Sequence, residues 1–152
     1  MVNVRYMGSA DVPAVVGLEA EIFPDPWPAS AFAEQLADND WLNLVAEADG
    51  RVIGYASFLM AAGEGHLANI AVHPAHRRKS VAKKLLDRIL EIAVENGCGV
   101  MFLEVRPSNI EAIAFYHRFG FEEFYQRPRY YRTPAEDALV MVRYLDTAPD
   151  RE

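Results

Sequence analysis

Cysteine and positive charge are both scarce in this chain of 152 residues, and each scarcity excludes a class of function. A single cysteine, Cys98, allows no internal disulfide bond and excludes a cysteine-based zinc site. Fifteen basic residues against 22 acidic ones give a formal net charge of −7. Proteins that bind nucleic acid generally carry basic surfaces, so we expect no direct nucleic-acid partner. An acidic surface is better suited to a basic peptide or a polyamine.

Long apolar runs are missing as well. The N-terminus has no apolar stretch of signal-peptide length, and the run from Tyr55 to Ala62 is too short to cross a bilayer. We therefore expect a cytoplasmic protein with no membrane partner. His73 and His76 have a ligand-like spacing, but neither a carboxylate nor a thiol stands near them in the sequence. We accordingly expect no metal site.

The composition, 51% hydrophobic and 24% charged, is typical of a soluble globular protein of one domain. We expect residues 1–146 to form a single domain, residues 147–152 to form a flexible tail, and the protein to be a monomer. Alternation and helical periodicity predict the order strand, two helices, three strands, helix, strand, helix and two strands. The first predicted helix, Asp11 to Phe23, carries Glu19 within its apolar period.

The predicted elements indicate an α/β (α+β mixed) fold. The clearest helix follows position 80, with one apolar stripe formed by Ala82, Leu85, Leu86, Ile89, Leu90 and Ala93. The strand before it and the strand after it are expected to be parallel, whereas hairpins such as the one at Asp49-Gly50 require antiparallel pairing. We therefore expect a central mixed, mostly antiparallel sheet that is flanked by helices on both faces.

The stretch "HRRKSVAKKLL", His76 to Leu86, places basic residues around the start of that helix. The window from Gly65 to Leu86 contains no acidic residue. Cations at a helix N-terminus oppose the helix dipole, and a bound anion would remove this conflict. The alternative is a solvated helix start with Ser80 as N-cap. Position 83 is lysine, so no capping box supports that alternative, and we favour the anion site.

Several other residues have both a structural and a functional interpretation. Glu104 shares a largely apolar strand face with Phe102, where a carboxylate is costly unless it is used or paired, for example with Arg106. Tyr116 lies at helical spacing among aromatic residues, which by itself favours a core position. Tyr130 and Tyr131 are adjacent aromatics in a predicted loop, and they are either edge packing or a peptide clamp.

Three segments resemble the GCN5-related N-acetyltransferases. The segment "IAVHPAHRRKSVAKKLL" is similar to the coenzyme A loop of that family, Gln/Arg-x-x-Gly-x-Gly/Ala. Arg77 and Ala82 match this pattern, while Ser80 stands where the first glycine is usual. "LEVRPSNIEAIAFYHRFGF" (Leu103 to Phe121) and "RPRYYRTPAEDALVM" (Arg127 to Met141) are similar to the RimI branch, the ribosomal-protein alanine N-acetyltransferases. The resemblance covers nearly the whole chain.

The resemblance implies the fold of that family and acetyl-coenzyme A as co-substrate, without a metal. The pyrophosphate would be held by backbone N–H groups, and the pantetheine arm would pair with a strand edge. The coenzyme-binding residues implied are Ile70, Ala71, Val72, Arg77, Arg78, Lys79, Ser80, Val81, Ala82, Lys83 and Asn109. Anion-facing amides need small side chains nearby, which Ala82 provides, whereas Ser80 can crowd the phosphate or resist a positive φ.

The resemblance also implies that Glu104 is the general base and Tyr116 the general acid. Trp27, in "FPDPWP", would form one wall of a peptide groove, opposite Tyr130 and Tyr131. The expected acceptor is the N-terminal α-amine of a protein, a ribosomal protein with N-terminal alanine. An α-amine with a pKa near about 8 is more often neutral at pH 7 than a lysine near about 10.4, which suits a weak base such as glutamate.

Two alternatives stay open at this point. The chain can be an acetyltransferase for a small amine, a polyamine or a lysine side chain, with the same donor. It can also be a non-catalytic coenzyme A-binding regulatory protein, which the missing loop glycine allows. The presence of both Glu104 and Tyr116 argues against the second alternative.

Overall fold

The computed structural model describes residues 1–77, 80–132 and 134–145, so Arg78, Lys79 and the predicted tail lie outside the described residues. The strands are β1 (Val2–Tyr6), β2 (Trp41–Ala48), β3 (Arg51–Ala61), β4 (Glu64–Val72), β5 (Val100–Val105), β6 (Glu122–Arg132) and β7 (Ala135–Tyr144). The helices are α1 (Val12–Ile22), α2 (Ala29–Leu36), α3 (Val81–Glu95) and α4 (Ile110–Arg118), with 3-10 turns at Ser9–Asp11 and Pro74–His76. The predicted order of helices and strands is confirmed.

The described strands form one sheet in the order β1-β2-β3-β4-β5-β7-β6. Strands β4 and β5, which α3 connects, are parallel, and the other neighbouring pairs within the described ranges are antiparallel. A crossover helix between adjacent strands produces this arrangement, because the chain must return to the same end of the sheet. The mixed, mostly antiparallel sheet of the sequence-based prediction is confirmed.

Helices cover both faces of the sheet. The larger core lies under α3 and α4, and α3 buries Leu85, Leu86 and Ile89 completely, as its apolar stripe predicts. The smaller core lies under α1 and α2, where Val15 and Phe32 pack against Val45 and Tyr55. Among the described residues, no helix combines the length and the apolar character needed to cross a membrane.

The centre of the sheet opens between β4 and β5. The two strands pair only from Glu64 to Leu67 against Val100 to Leu103 within the described residues. Beyond that point β4 continues to Val72 paired with β3, and β5 continues to Val105 paired with β7. We call the space between the diverging strands the β4–β5 gap. Because the described residues of the two strands are not paired in this gap, side chains from both faces of the sheet can approach the same point.

The structure corrects the prediction that Tyr130 and Tyr131 lie in a loop. Both belong to β6, which pairs with β7 from Glu122 opposite Val142 to Arg132 opposite Ala135. The register shifts between Arg127 and Tyr131, and Arg129 adopts a positive φ of 56°. This irregularity breaks the alternation of side chains that marks a strand in the sequence, and Pro128 removes a backbone donor in the same place.

Candidate active site

The edge of β4 that faces the β4–β5 gap carries Ile70, Ala71 and Val72. Their strand pairs with β3 on one side, and the described residues provide no strand partner on the other side. An extended chain can add to such an edge through backbone hydrogen bonds, which is what a pantetheine arm with two amides requires. The Val72 carbonyl also accepts a hydrogen bond from Arg77 Nε at 3.1 Å, so Arg77 ties the following loop to the strand.

Among the described residues, no backbone acceptor pairs with the N–H groups of the first turn of α3. The first hydrogen bond between described residues at its start runs from Lys84 N to Ser80 O at 3.1 Å, and the N–H groups of a first turn point out of the helix. Ser80 makes no side-chain cap and adopts the left-handed conformation, with φ 65° and ψ 18°. These observations contradict the alternative in which Ser80 is only an N-cap. The backbone conformation is the one that the missing glycine would adopt without strain.

At the start of α3, the part of Lys83 that is available to an anion is its backbone N–H group, because its side chain pairs with Asp87. Its ammonium lies 2.8 Å from Asp87 Oδ2, one turn along the exposed face of α3. An anion at the helix N-terminus would therefore be held mainly by amides and by the helix dipole rather than by this side chain. Val81 is buried and Ala82 is half-buried, which fixes the first turn against the sheet.

Gly54 on β3 allows the helix start to lie this close to the sheet. A Cβ atom at position 54 would stand 3.0 Å from Ala71 O and 3.3 Å from Val81 Cγ1. The first distance is shorter than ordinary contact, and backbone cannot move aside easily. A glycine at this position therefore sets the separation between the β4 edge and the amides of α3.

Glu104 lies on β5, and its carboxylate approaches His66 of β4. Glu104 Oε1 lies 2.5 Å from His66 Nε2, and the Glu104 side chain is 12% exposed. Arg106 instead contacts Glu136 at 3.3 Å and the Pro134 carbonyl at 2.7 Å. Within the part of the chain that the structure describes, Glu104 thus pairs with His66, whereas the sequence suggested Arg106 as its partner.

A cavity of about 420 Å³ opens in front of Glu104 and His66. Its walls are mainly apolar, and they come from β3 to β7: Leu59, Ala61, Phe102, Phe124, Tyr125 and Val140. Glu64 adds a second carboxylate to the lining. The cavity can receive an acceptor whose amine approaches Glu104, and its negative charge favours a cationic group.

Tyr116 is buried on α4 among aromatic side chains. Its ring lies 5.4 Å from that of Phe115 and 5.9 Å from that of Phe121, centroid to centroid. Burial raises the pKa of the Tyr116 phenol, and the nearby Tyr131 raises it further. The phenol therefore keeps its proton at neutral pH, as a proton donor must.

The pKa of Tyr131 depends on burial and on its charged neighbours. Burial raises this pKa, and the charge of Glu104 adds to the effect. Tyr131 in turn adds to the raised pKa of Tyr116 on α4. The guanidinium of Arg106 lies 4.2 Å from the Tyr131 ring centroid and holds this ring in place.

Tyr130 lies beside Tyr131 and reaches the same region. The two rings pack edge to face at 5.0 Å, and Arg127 lies 4.9 Å from the centre of the Tyr130 ring. Burial raises the pKa of the Tyr130 phenol, and the charge of Glu104 raises it further. The structure thus places the predicted tyrosine pair next to the predicted base.

Trp27 belongs to a buried polar cluster on the α1 and α2 side of the sheet. Its backbone N–H donates to Glu19 Oε2 at 3.0 Å, and its ring packs against Phe32 at 5.5 Å. Glu19 also accepts hydrogen bonds from Tyr55 and from Asn69, and burial raises the pKa of its carboxyl group. Sequence reasoning assigned Glu19 no role, although an acid within the apolar period of a helix was the available signal.

Asn109 was predicted from the sequence as a site residue, whereas His66 was not. Asn109 caps α4, where its Oδ1 accepts a hydrogen bond from Ala112 N at 3.1 Å. His66 was missed because the sequence predicts the parallel arrangement of β4 and β5 but not the register that brings His66 beside Glu104. The described residues contain no group of three or more histidine, cysteine or acidic side chains arranged to hold a metal ion.

The mixed sheet that splays between β4 and β5, with helices on both faces, is the fold of an acyltransferase. The chain belongs to the acetyltransferase (GNAT) family, whose model matches residues 12–121.

Individual relatives agree with this family. A putative [ribosomal protein bS18]-alanine N-acetyltransferase of Bacillus subtilis is 34% identical over 139 residues, covering 91% of this chain and 92% of the relative. An uncharacterized protein of Mycobacterium leprae is 38% identical over 140 residues, which is 88% of this chain but 38% of that protein. The crystal structure of the ribosomal-protein-S18-alanine N-acetyltransferase from Escherichia coli superposes with a TM-score of 0.90 at 29% identity, covering 100% of this chain and 99% of that one.

Proposed function

We propose that the chain transfers the acetyl group of acetyl-coenzyme A to the N-terminal α-amine of a protein, a ribosomal protein with N-terminal alanine. The observation that carries this proposal is the position of Glu104, which lines the cavity and lies just beyond the last paired residues of β4 and β5, at the β4–β5 gap. Tyr116, on α4 at the other face of the sheet, is the proposed acid. A base on the acceptor side and an acid on the donor side of one gap are what direct acyl transfer needs.

The binding of the co-substrate rests on two features of the chain. The β4 edge at Ile70 to Val72 suits the pantetheine arm, and the amides at the start of α3 suit the pyrophosphate. Asn109, at the start of α4, is the further polar residue proposed to contact the pantetheine. Acetyl-coenzyme A, when bound, supplies an acyl group on a sulfur leaving group.

Glu104 takes a proton from the acceptor amine, directly or through one water molecule. The amine nitrogen then forms the new bond to the acyl carbon as the carbon–sulfur bond breaks, and Tyr116 donates its proton to the departing sulfur. A backbone N–H of the Ile70 to Val72 edge stabilises the negative charge that develops on the acyl oxygen. Transfer of the Glu104 proton to solvent and reprotonation of Tyr116 restore the starting state.

The choice of acceptor is supported by the chemistry of the cavity and by the relatives. An α-amine needs a weaker base than a lysine side chain does, because more of it is neutral at pH 7. The acidic, mainly apolar cavity accepts a cationic amine attached to a small side chain. The names of the Bacillus subtilis and Escherichia coli proteins state an alanine acceptor on ribosomal protein bS18. Trp27, Tyr130 and Tyr131 are the proposed walls for the following peptide residues.

A panel of acceptors tests the proposal. Peptides with a free N-terminal alanine, the same peptides with a blocked N-terminus and an internal lysine, and polyamines are each incubated with acetyl-coenzyme A. Release of the free thiol and the mass of the product are measured. We expect turnover with the free N-terminal peptides. Turnover with polyamines alone would show a small-amine acetyltransferase, and binding of acetyl-coenzyme A without any turnover would show a non-catalytic protein.

A further inference from the structure

His66 and Glu104 meet because β4 and β5 are parallel neighbours. His66 stands opposite Phe102 in the register of the two strands, and Glu104 follows two residues later on the same face as Phe102. The imidazole Nε2 and the carboxylate Oε1 are 2.5 Å apart, although 38 positions separate the residues in the sequence. The contact lies at the place where the strands begin to diverge.

Glu104 has mainly apolar neighbours on its face of the sheet, and the polar groups beside it are His66 and the Tyr130 phenol. Phe102 and Val140 line the same cavity, and the Glu104 side chain is mostly shielded from solvent. A carboxylate in such surroundings needs a donor to keep one orientation, since water reaches only part of it. His66 comes from β4, the strand whose continuation forms the proposed pantetheine edge, so its contact fixes Glu104 relative to the acyl donor.

We propose that His66 is a positioning residue for acetyl transfer, whose imidazole holds the Glu104 carboxylate toward the acceptor amine. This inference rests on the proposed function of Glu104 as the base. A base acts only within hydrogen-bonding reach of the amine or of one bridging water, and a displacement of about 1 Å can cost about 100-fold in rate. Loss of the imidazole should therefore lower kcat more than it changes KM for acetyl-coenzyme A.

Two substitutions distinguish a positioning role of His66 from a purely structural contact between β4 and β5. His66→Leu removes the donor and keeps an apolar side chain of similar reach, whereas His66→Gln keeps an amide N–H near the position of Nε2. With an N-terminal alanine peptide, we expect His66→Leu to lower kcat on the order of tenfold, with an unchanged KM for acetyl-coenzyme A. We expect His66→Gln to recover most of the rate.

The same substitution in the Glu104→Gln background shows through which group His66 acts. If it acts by orienting the Glu104 carboxylate, His66→Leu should cause little further loss once that carboxylate is gone. An equal loss in both backgrounds, or a wild-type kcat in His66→Leu, would overturn the inference. Absence of turnover by the wild-type chain on every amine would contradict the proposed function itself, so the two failures are distinguishable.

The imidazole NMR signals of His66 provide a measurement that needs no acceptor. In the wild-type protein and in Glu104→Leu, the Nε2 nitrogen and its attached proton report directly on the hydrogen bond. We expect their chemical shifts to change when the carboxylate is removed. Signals of His66 that are identical in the two proteins would overturn the inference, even where a His66 variant fails to fold.

Discussion

Asn69 Nδ2 donates a hydrogen bond to Glu19 Oε1 at 2.9 Å, which joins β4 to α1 across 50 positions of sequence. Asn69 directly precedes the edge proposed for the pantetheine arm, and the other oxygen of Glu19 holds Trp27 of the proposed acceptor wall. One buried carboxylate thus connects the two elements that are proposed to bind the substrates. Its substitution by alanine would remove the acceptor of one buried donor, Tyr55, and of two half-buried donors, Asn69 and the Trp27 N–H.

We predict that Glu19→Ala lowers the free energy of unfolding by about 3 kcal/mol, because buried donors left unpaired cost about 1–3 kcal/mol each. Urea denaturation followed by circular dichroism measures the change. Glu34→Gln, at an exposed position of α2, is the control and should be nearly neutral. A loss below about 0.5 kcal/mol would contradict the stabilising role of the cluster.

The pH dependence of stability should report on the same carboxyl group. Burial raises the folded-state pKa of Glu19 above its unfolded value, so the folded protein binds the proton more tightly. The resulting stabilisation is fully present below the unfolded pKa and is lost as the pH rises through the folded pKa. Compared with Glu19→Gln, the wild type should therefore lose stability over that interval as pH increases. Parallel curves for the two proteins from pH 4 to 8 would contradict the prediction.

Ser80→Gly should stabilise the protein without a large effect on coenzyme binding. A non-glycine residue with a left-handed backbone costs about 1 kcal/mol, and Ser80 has φ 65°. We expect a higher Tm and a change in acetyl-coenzyme A affinity below about tenfold, or about 1.4 kcal/mol, in calorimetry. Ser80→Ala keeps the Cβ atom and serves as the control. A much larger gain in affinity for Ser80→Gly would show that the serine impairs the loop.

Tyr116→Phe should lower kcat on the order of 100-fold and leave the KM for acetyl-coenzyme A similar, because only the donated proton is lost. The isosteric ring keeps the packing against Phe115 and Phe121. Since the phenol pKa is raised, the wild type should keep its activity at alkaline pH beyond the range of an ordinary tyrosine acid. Tyr144→Phe, at a position 74% exposed, is the matched control. Full activity of Tyr116→Phe would exclude Tyr116 as the acid.

Gly54→Ala should weaken acetyl-coenzyme A binding as well as stability. The added methyl group would meet Ala71 O and Val81, and it would push the start of α3 away from the β4 edge. Overpacking of this kind costs about 1–3 kcal/mol. Gly99→Ala is the control, because a Cβ atom there meets nothing within 4 Å. Equal affinities and equal Tm values for the two variants would contradict the proposed close approach.

Periodicity in the sequence was sufficient for most elements. The apolar stripe of α3 and the Asp49-Gly50 hairpin are local patterns, and both appear as predicted. The β6–β7 hairpin shows where local patterns fail, since a register shift near Arg129 conceals the strand that carries Tyr130 and Tyr131. The proposed anion site at the start of α3 could be predicted from the acid-free window, because charge and helix position are both properties of neighbouring residues.

The sequence by itself determined the order of elements, the mixed sheet and the identity of Glu104 and Tyr116 as candidates. The tertiary structure decided the contacts between distant residues, such as His66 with Glu104 and the buried Glu19 with the backbone of Trp27. The physical reason is that periodicity reports the face on which a side chain lies. Contacts between neighbouring parallel strands depend on the register of the strands and on the point at which they separate. Both are set by residues that lie far apart in the chain.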